Sequence, residues 1–153
     1  RRGLVSVDLA RPQEWPVISP EGLAAVGGQP ETLADLLHAP LLHEEDDSEW
    51  QLWFQAQHVP ARTIPCEGHL WQAHLTLAAA RAGEGIALSN PFLLGDDLVT
   101  GRLIRIQPKQ TPVQTTPLGS YVLRTTDRGW ENHGLSLFRN WLLEQIAAER
   151  LAG

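Results

Sequence analysis

The chain has no methionine, one tyrosine and one cysteine, and it is short of cations: 12 lysines and arginines face 18 aspartates and glutamates, for a net charge of −6. That balance excludes a broad electrostatic hold on DNA, RNA or anionic lipid, which requires a basic surface. A single thiol, Cys66, forms no internal disulfide, and this suits a reducing, cytoplasmic setting. No apolar run reaches the length of a membrane span, and the opening "RRGLVSVDLARPQEW" lacks the apolar stretch of a secretory signal. A sequence that does not start with Met is expected to be a fragment or a tagged piece of a longer protein.

What is present is ordinary for a globular chain: 153 residues, 42% hydrophobic and 20% charged, enough for one domain or two small lobes. "LVSVDLA" (Leu4–Ala10) and residues 14–19 read as strands. Pro20 opens a helical turn that Gly27 and Gly28 close, and Leu33, Leu36 and Leu37 follow at helical spacing up to Pro40. "PLLHEE" reads as a brief strand. Residues 46–60 read as a helix with Ser48 and Gln51 at capping-box spacing and Trp50, Trp53 and Phe54 as its buried stripe. A weak strand at 62–66 leads into a helix over 69–82, a buried strand at 86–89 into a short helix capped by Asn90 with Pro91 in its first turn. "GRLIRIQP" is a strand, residues 107–119 a mobile Pro- and Thr-rich connection, and "SYVLRTT" another strand. The last helix, about 132–151, carries the stripe Leu135, Phe138, Leu142 and Ile146 with Trp141 beside it. Strands alternate with helices, so the class is α/β.

The pair Gly83-Glu84-Gly85 invites a phosphate reading, but its order is wrong. A dinucleotide fingerprint runs strand, glycine turn, helix; here the helix comes first. A helix C-terminus offers carbonyl oxygens, which repel phosphate. Gly83 is expected to end the helix in the left-handed conformation and Gly85 to admit a tight approach to the strand. Ligand chemistry belongs at the opposite ends. If strands 62–66 and 86–89 are parallel, both following helices start on one edge of the sheet and present bare amides to a carboxylate or other anion. Gly68, His69, Leu70, Ser89 and Asn90 are the candidates on that geometry; the plainer alternative is that Ser89 and Asn90 only cap and Gly68 only turns.

Other constellations are weaker. "HEEDDSE" lacks the glycine and terminal glutamate of a calcium loop and reads as a solvated helix start. His69 and His74 are five apart, off one helical face, and no zinc pattern is present, so no metal is expected. Cys66 with His69 is the one nucleophile pairing worth naming, and no third group is evident. No enzyme and no cofactor are expected.

Five pieces in order resemble the LysR-type transcriptional regulators, in the branch of glycine-cleavage and β-lactamase regulators. They are "WPVISPEGLA", "LADLLHAPLLHEEDDSEWQLWFQAQ", "HLTLAAARAGEGIALSNPFLLGDDLVTGRLIRI", "GSYVLRTT" and "LFRNWLLEQI". The resemblance implies part of a type II periplasmic-binding-protein-like effector domain: one Rossmann-like lobe with a mixed sheet (residues 1–106), a connection (107–118), and a C-terminal strand and helix (119–153) that in the family return to the first lobe. It implies a small-molecule effector, here expected to be anionic, homo-oligomers, no membrane, and DNA contact only through an N-terminal winged helix-turn-helix that this sequence lacks. Its ligand contacts carry over to Gly68, His69, Leu70 and Trp71, to Ser89 and Asn90, and to Tyr121 in "GSYVL", with Trp71 placed to stack on an effector. A solute-binding module of a transport system is the alternative on the same fold. The stripe on the last helix, without the family's partner lobe, is expected to be re-buried by folding back or dimerising.

Overall fold

The computed structural model describes residues 3–61, 63–66, 69–70, 72–114 and 116–152. Strands β1 (Leu4–Ala10) and β2 (Trp15–Ile18) lead to α1 (Pro20–Ala25) and a 3₁₀ turn at Leu33–His38. Next come α2 (Ser48–Ala56), α3 (Ala73–Arg81), β3 (Ala87–Ser89), α4 (Pro91–Leu94), α5 (Asp97–Thr100) and β4 (Ile104–Arg105). β5 (Tyr121–Thr126), α6 (Asp127–Trp130) and the long α7 (His133–Ala152) complete the order. Two compact units result, one of residues 13–118 and one of residues 1–12 with 119–153.

In the larger unit β2 is the middle of an antiparallel sheet ordered β3-β2-β4, with Trp15 opposite Ser89, Val17 opposite Ala87, and Ile18 opposite Ile104. Strand side chains alternate, so the two faces differ. Val17 and Ala87 join Leu77 and Ala80 of α3 on one face; Ile18 and Leu88 join Trp50, Trp53 and Phe54 of α2 on the other. Two indoles also hold α2 in place, since Trp50 Nε1 donates to Leu42 O at 2.8 Å and Trp53 Nε1 to Glu14 O at 3.1 Å. The buried Asp97 ties α5 to α3, accepting from Arg81 Nε at 3.0 Å and pairing with Arg102 Nε at 3.2 Å.

Several expectations are corrected. Residues 63–66 form no strand: Pro65 has no N–H for a ladder, and its carbonyl is taken by the His43 ring at 2.9 Å. The helix expected from 69 starts at Ala73, because His69 and Leu70 stay extended to pair with His43, with the Leu70 amide on His43 O at 3.0 Å. The brief strand at "PLLHEE" is reduced to single parallel bridges, Leu41 with Ile86 and His43 with His69. The Ser48–Gln51 capping box is replaced by two aspartates: Asp46 accepts from the Ser48 amide and Asp47 from the Gln51 side chain, each at 2.8 Å. The 107–118 connection is tied down, with Gln57 bonded to Gln114 and Thr116, and Lys109 and Gln110 donating to Pro30 and Glu31. β1 pairs with β5 rather than joining residues 13–106, running from Leu4 opposite Thr126 to Ala10 opposite Tyr121. Helices α5 and α6 were not anticipated.

α2 ends in a Schellman turn: the Val59 amide reaches Phe54 O and the His58 amide Gln55 O, which forces the exposed His58 to φ 59°. A β-carbon is unwelcome there. His58→Gly is expected to stabilise the unit by about 0.5–1 kcal/mol, read as a higher urea midpoint.

In the smaller unit the β1–β5 ribbon is joined by α6, whose Trp130 Nε1 donates to Val5 O at 3.3 Å, and by α7, whose first turn is capped by Asn132. Phe138 and Trp141 stack at 6.1 Å and remain 46% and 54% exposed, while Leu135, Leu142 and Ile146 of the stripe are half-buried.

Candidate ligand-binding edge

Three stretches run in parallel and leave the sheet on the same side. The Ile86 amide donates to Pro40 O and the Leu42 amide to Ile86 O, each at 2.8 Å, while Leu70 is held by His43. The chain therefore exits this edge at Glu44, after Leu70, and at Asn90. The expected pairing of parallel strands 62–66 and 86–89 is not formed, since 63–66 make no strand; residues 41–43 instead bridge in parallel to Ile86 on one side and His69 on the other.

α3 returns to β3 through Gly83-Glu84-Gly85, so helix and strand are antiparallel, with Leu77 and Ala80 packed near Ala87. Going two residues along β3 from Ala87 advances about 7 Å and four residues back along α3 about 6 Å. Ser89 thus lies level with the first turn of α3, on the face that α3 covers. Ser89 is fully buried, and its Oγ has no hydrogen-bond partner among the described residues. A buried hydroxyl left unmade costs about 1–3 kcal/mol, so this position asks for a guest. The start of α3 is bare as well: no side chain caps it, and the Ala73 and His74 amides meet no acceptor among the described residues.

The second expected amide cluster is different. Asn90 Oδ1 accepts from the Phe92 and Leu93 amides at 3.0 and 3.3 Å, so the single turn of α4 is closed by its own cap. Asn90 Nδ2 donates to Glu14 Oε1 at 3.0 Å. Asn90 acts as a cap and a brace.

On the α2 face of the same edge lies an acidic corner. Burial, opposed by the Asn90 hydrogen bond and helped by Glu44, lifts the Glu14 carboxyl above its ordinary 4.5. Burial, then Glu45, lifts Glu44. Glu49 keeps an exposed edge, yet partial burial first, then Glu44, Glu14 and Asp46, push its carboxyl up to about 7. Asp46 moves the other way, held below 3.8 chiefly by its hydrogen bonds to Ser48. His43, 2% exposed, uses Nε2 to donate to Pro65 O, because a carbonyl only accepts; its Nδ1 is unpartnered among the described residues.

His69 and Leu70 sit at this edge beside His43, and His69 Nδ1 is 3.6 Å from Cys66 Sγ. Gly68 and Trp71 lie outside the described residues. Tyr121 opens β5 in the other unit, opposite Ala10. Among the described residues no three histidines, cysteines or acids are grouped to hold a metal ion, and no helix is long and apolar enough to cross a membrane. Sequence reasoning missed Glu14, Glu49 and His43 as a group. A carboxylate directly ahead of an apolar strand, at Glu14, was the available sign, while "HEEDDSE" alone reads as a solvated run.

Residues 1–147 match the LysR substrate binding domain family. The HTH-type transcriptional activator AmpR of Pseudomonas aeruginosa is 36% identical over 125 residues, covering 81% of this chain and 40% of that protein. The glycine cleavage system transcriptional activator of Escherichia coli is 28% identical over 141 residues, covering 88% and 43%. The chain thus spans about two fifths of these curated relatives. Among solved structures, the effector domain of the Pseudomonas aeruginosa AmpR superposes with a TM-score of 0.72 at 34% identity, covering 97% of this chain and 67% of that one. The regulatory domain of CrgA from Neisseria meningitidis gives 0.75 at 24% identity over 95% and 70%, a likeness of fold. The architecture is thus the α/β, type II periplasmic-binding-protein-like fold of such effector domains, in part.

Proposed function

Because the chain belongs to the LysR substrate-binding domain family, we propose that it is the effector-sensing part of a bacterial transcription regulator. It holds a small carboxylate-bearing molecule, an amino acid or an aromatic acid, at the start of α3, with Ser89, His69 and Leu70 around it; Gly68 and Trp71 join the ligand set on the family pattern alone. Asn90 braces the site; Tyr121 of β5, which the family pattern also suggests, stands in the other unit. Residues 13–106 serve as the second lobe, residues 107–118 as the connection, and the strand and helix of 119–153 as the segment that returns to the first. The regulator works in the cytoplasm as a homo-oligomer and meets DNA through a winged helix-turn-helix outside these 153 residues. It performs no catalysis: the ligand acts by preferring one arrangement of the regulator over another.

The observation that carries this reading is the buried, unpartnered Ser89 hydroxyl level with the bare first turn of α3. An anion there gains from the helix dipole and from amides that have no other acceptor. The transport alternative is disfavoured by the names of the relatives, which are transcriptional activators.

Calorimetry of the full-length parent against a panel of amino acids and aromatic acids tests the site. At least one carboxylate is expected to bind, and Ser89→Ala is expected to weaken it about tenfold, the worth of one buried hydrogen bond. Binding of only cationic or wholly apolar ligands, with Ser89→Ala and His69→Ala both silent, rules it out.

A further inference from the structure

The face of the sheet that carries Ser89 also carries an indole that the core does not use. Trp15 stands directly opposite Ser89 in the β2–β3 ladder, so the two side chains leave the sheet on the same side, one strand spacing of about 4.8 Å apart. Two residues along β2, Val17 is fully buried with Leu77 and Ala80 of α3. Trp15 is only half-buried, and it belongs to neither of the two apolar clusters. Its ring is nevertheless held in place. Nε1 donates to Ile106 O at 2.9 Å, and the Arg105 guanidinium lies over the ring, 5.3 Å from its centroid. Arg105, opposite Val17 on β4, is itself exposed. We propose that Trp15, backed by Arg105, is a specificity-determining wall of the Ser89 site and selects a carboxylate that carries an aromatic ring.

This selection deepens the carboxylate reading and rests on it. The row across the end of the sheet supplies both halves of such a ligand. The unpartnered Ser89 Oγ and the Ala73 and His74 amides offer donors to the anion. The indole beside them has its one hydrogen-bonding group already satisfied, so what it offers a guest is the ring itself. A strand spacing is close to the length of a phenyl group, so a ring one methylene away from its carboxylate reaches Trp15 from Ser89. Because the indole is fixed beforehand, little rotamer freedom is lost when the guest arrives. Contact between two aromatic rings then adds about three- to tenfold in affinity beyond the apolar area covered. The plainer role for Trp15 is to shield the β2–β4 hydrogen bonds, and in that role an aromatic and a saturated ring are held equally well.

Calorimetry of the full-length parent with phenylacetate and cyclohexylacetate, two acids of like charge and similar size, separates the two roles. Phenylacetate is expected to bind about five- to tenfold more tightly. Trp15→Leu is expected to bring the two acids within about twofold of each other while cyclohexylacetate binds nearly as before, and Trp15→Phe to keep most of the preference. Arg105→Gln, at an exposed position, removes the cation that steadies the ring and is expected to lower the preference about twofold with the urea midpoint unchanged. Ser89→Ala is expected to weaken both acids alike, so the preference survives there. Equal affinity of the two acids in the parent, or a preference unmoved by Trp15→Leu, overturns the proposal. The comparison in the parent decides the matter even where Trp15→Leu fails to fold. Failure of the carboxylate reading leaves a different mark: the parent binds neither acid, and the wall falls with it.

Discussion

A Trp53→Ala chain is expected to lose about 3–5 kcal/mol, enough to leave residues 13–118 largely unfolded near physiological temperature. Trp53 has no exposed surface. Its ring meets Trp50 edge-on at 5.9 Å and Phe54 at 5.4 Å, and its indole nitrogen supplies the hydrogen bond to Glu14 O. Removal therefore does two things at once: it opens a void among aromatics that have few ways to collapse into it, and it strips a partner from a backbone carbonyl at the start of the central strand. The two effects separate in Trp53→Phe, which keeps most of the ring volume and loses the N–H; about 1–2 kcal/mol is expected there. Far-UV circular dichroism in urea reads both, since five other tryptophans obscure fluorescence. A midpoint for Trp53→Ala close to the parent's would mean that α2 does not anchor β2.

The same helix shows what the sequence discloses and what it withholds. The Trp50, Trp53 and Phe54 stripe is legible because a 3.6-residue period needs no tertiary knowledge. β1, Leu4–Ala10, was legible to the residue from its alternation and its Pro-bounded end. The start of α3 was not. "HLWQAHLTLAAAR" has helical spacing throughout, yet His69 and Leu70 are drawn off by a backbone partner, His43, that lies 26 residues earlier. Local pattern carries no record of such a partner, and tertiary pairing overrode it. The pairing of β1 with β5, more than a hundred residues away, was hidden for the same reason.

The site divides along the same line. Ser89 was legible as the end of a buried strand at a sheet's carboxyl edge, the position where α/β folds gather ligands. That Asn90 consumes the amides of α4, so that of the two expected helix starts it is α3 that stays bare, depends on a side-chain rotamer. The acidic corner depends on two indole hydrogen bonds that bring Glu49 from α2 beside Glu14 from the start of β2, residues 35 apart in sequence. Charge runs in a sequence say where carboxylates are numerous, and only packing says which of them crowd one another. Glu49, at the end of the acidic run, is driven to about 7 by partial burial and then by Glu44, Glu14 and Asp46.

Gly85→Ala is the second substitution expected to cost heavily, about 3 kcal/mol, and its comparison with Gly83→Ala separates two reasons for a glycine. Gly83 stands at φ +82°, the left-handed residue of a Schellman turn in which Glu84 N reaches Ala79 O, and an added methyl group there meets Ser19 Oγ at 3.6 Å and Gly22 N at 4.0 Å, both ordinary contacts. Its need is conformational, so Gly83→Ala is expected to cost about 1–2 kcal/mol and Gly83→Asn less, asparagine being tolerant of that region. Gly85 has no such φ; a β-carbon there would come within 2.4 Å of Pro40 O and 3.1 Å of the Leu42 side chain. Its need is space, and asparagine gives no relief. Pro40 O is the acceptor for the Ile86 amide, so the clash pries at the bridge that sets residues 40–43 beside β3. That bridge aligns the exits at Glu44 and Asn90, and through His43 it positions Leu70. Gly85→Ala is therefore expected to lower both the urea midpoint and ligand affinity, whereas Gly83→Ala lowers the midpoint alone. Equal losses in the two alanine variants, or recovery of Gly85→Asn, would show that strand approach plays no part in shaping the edge.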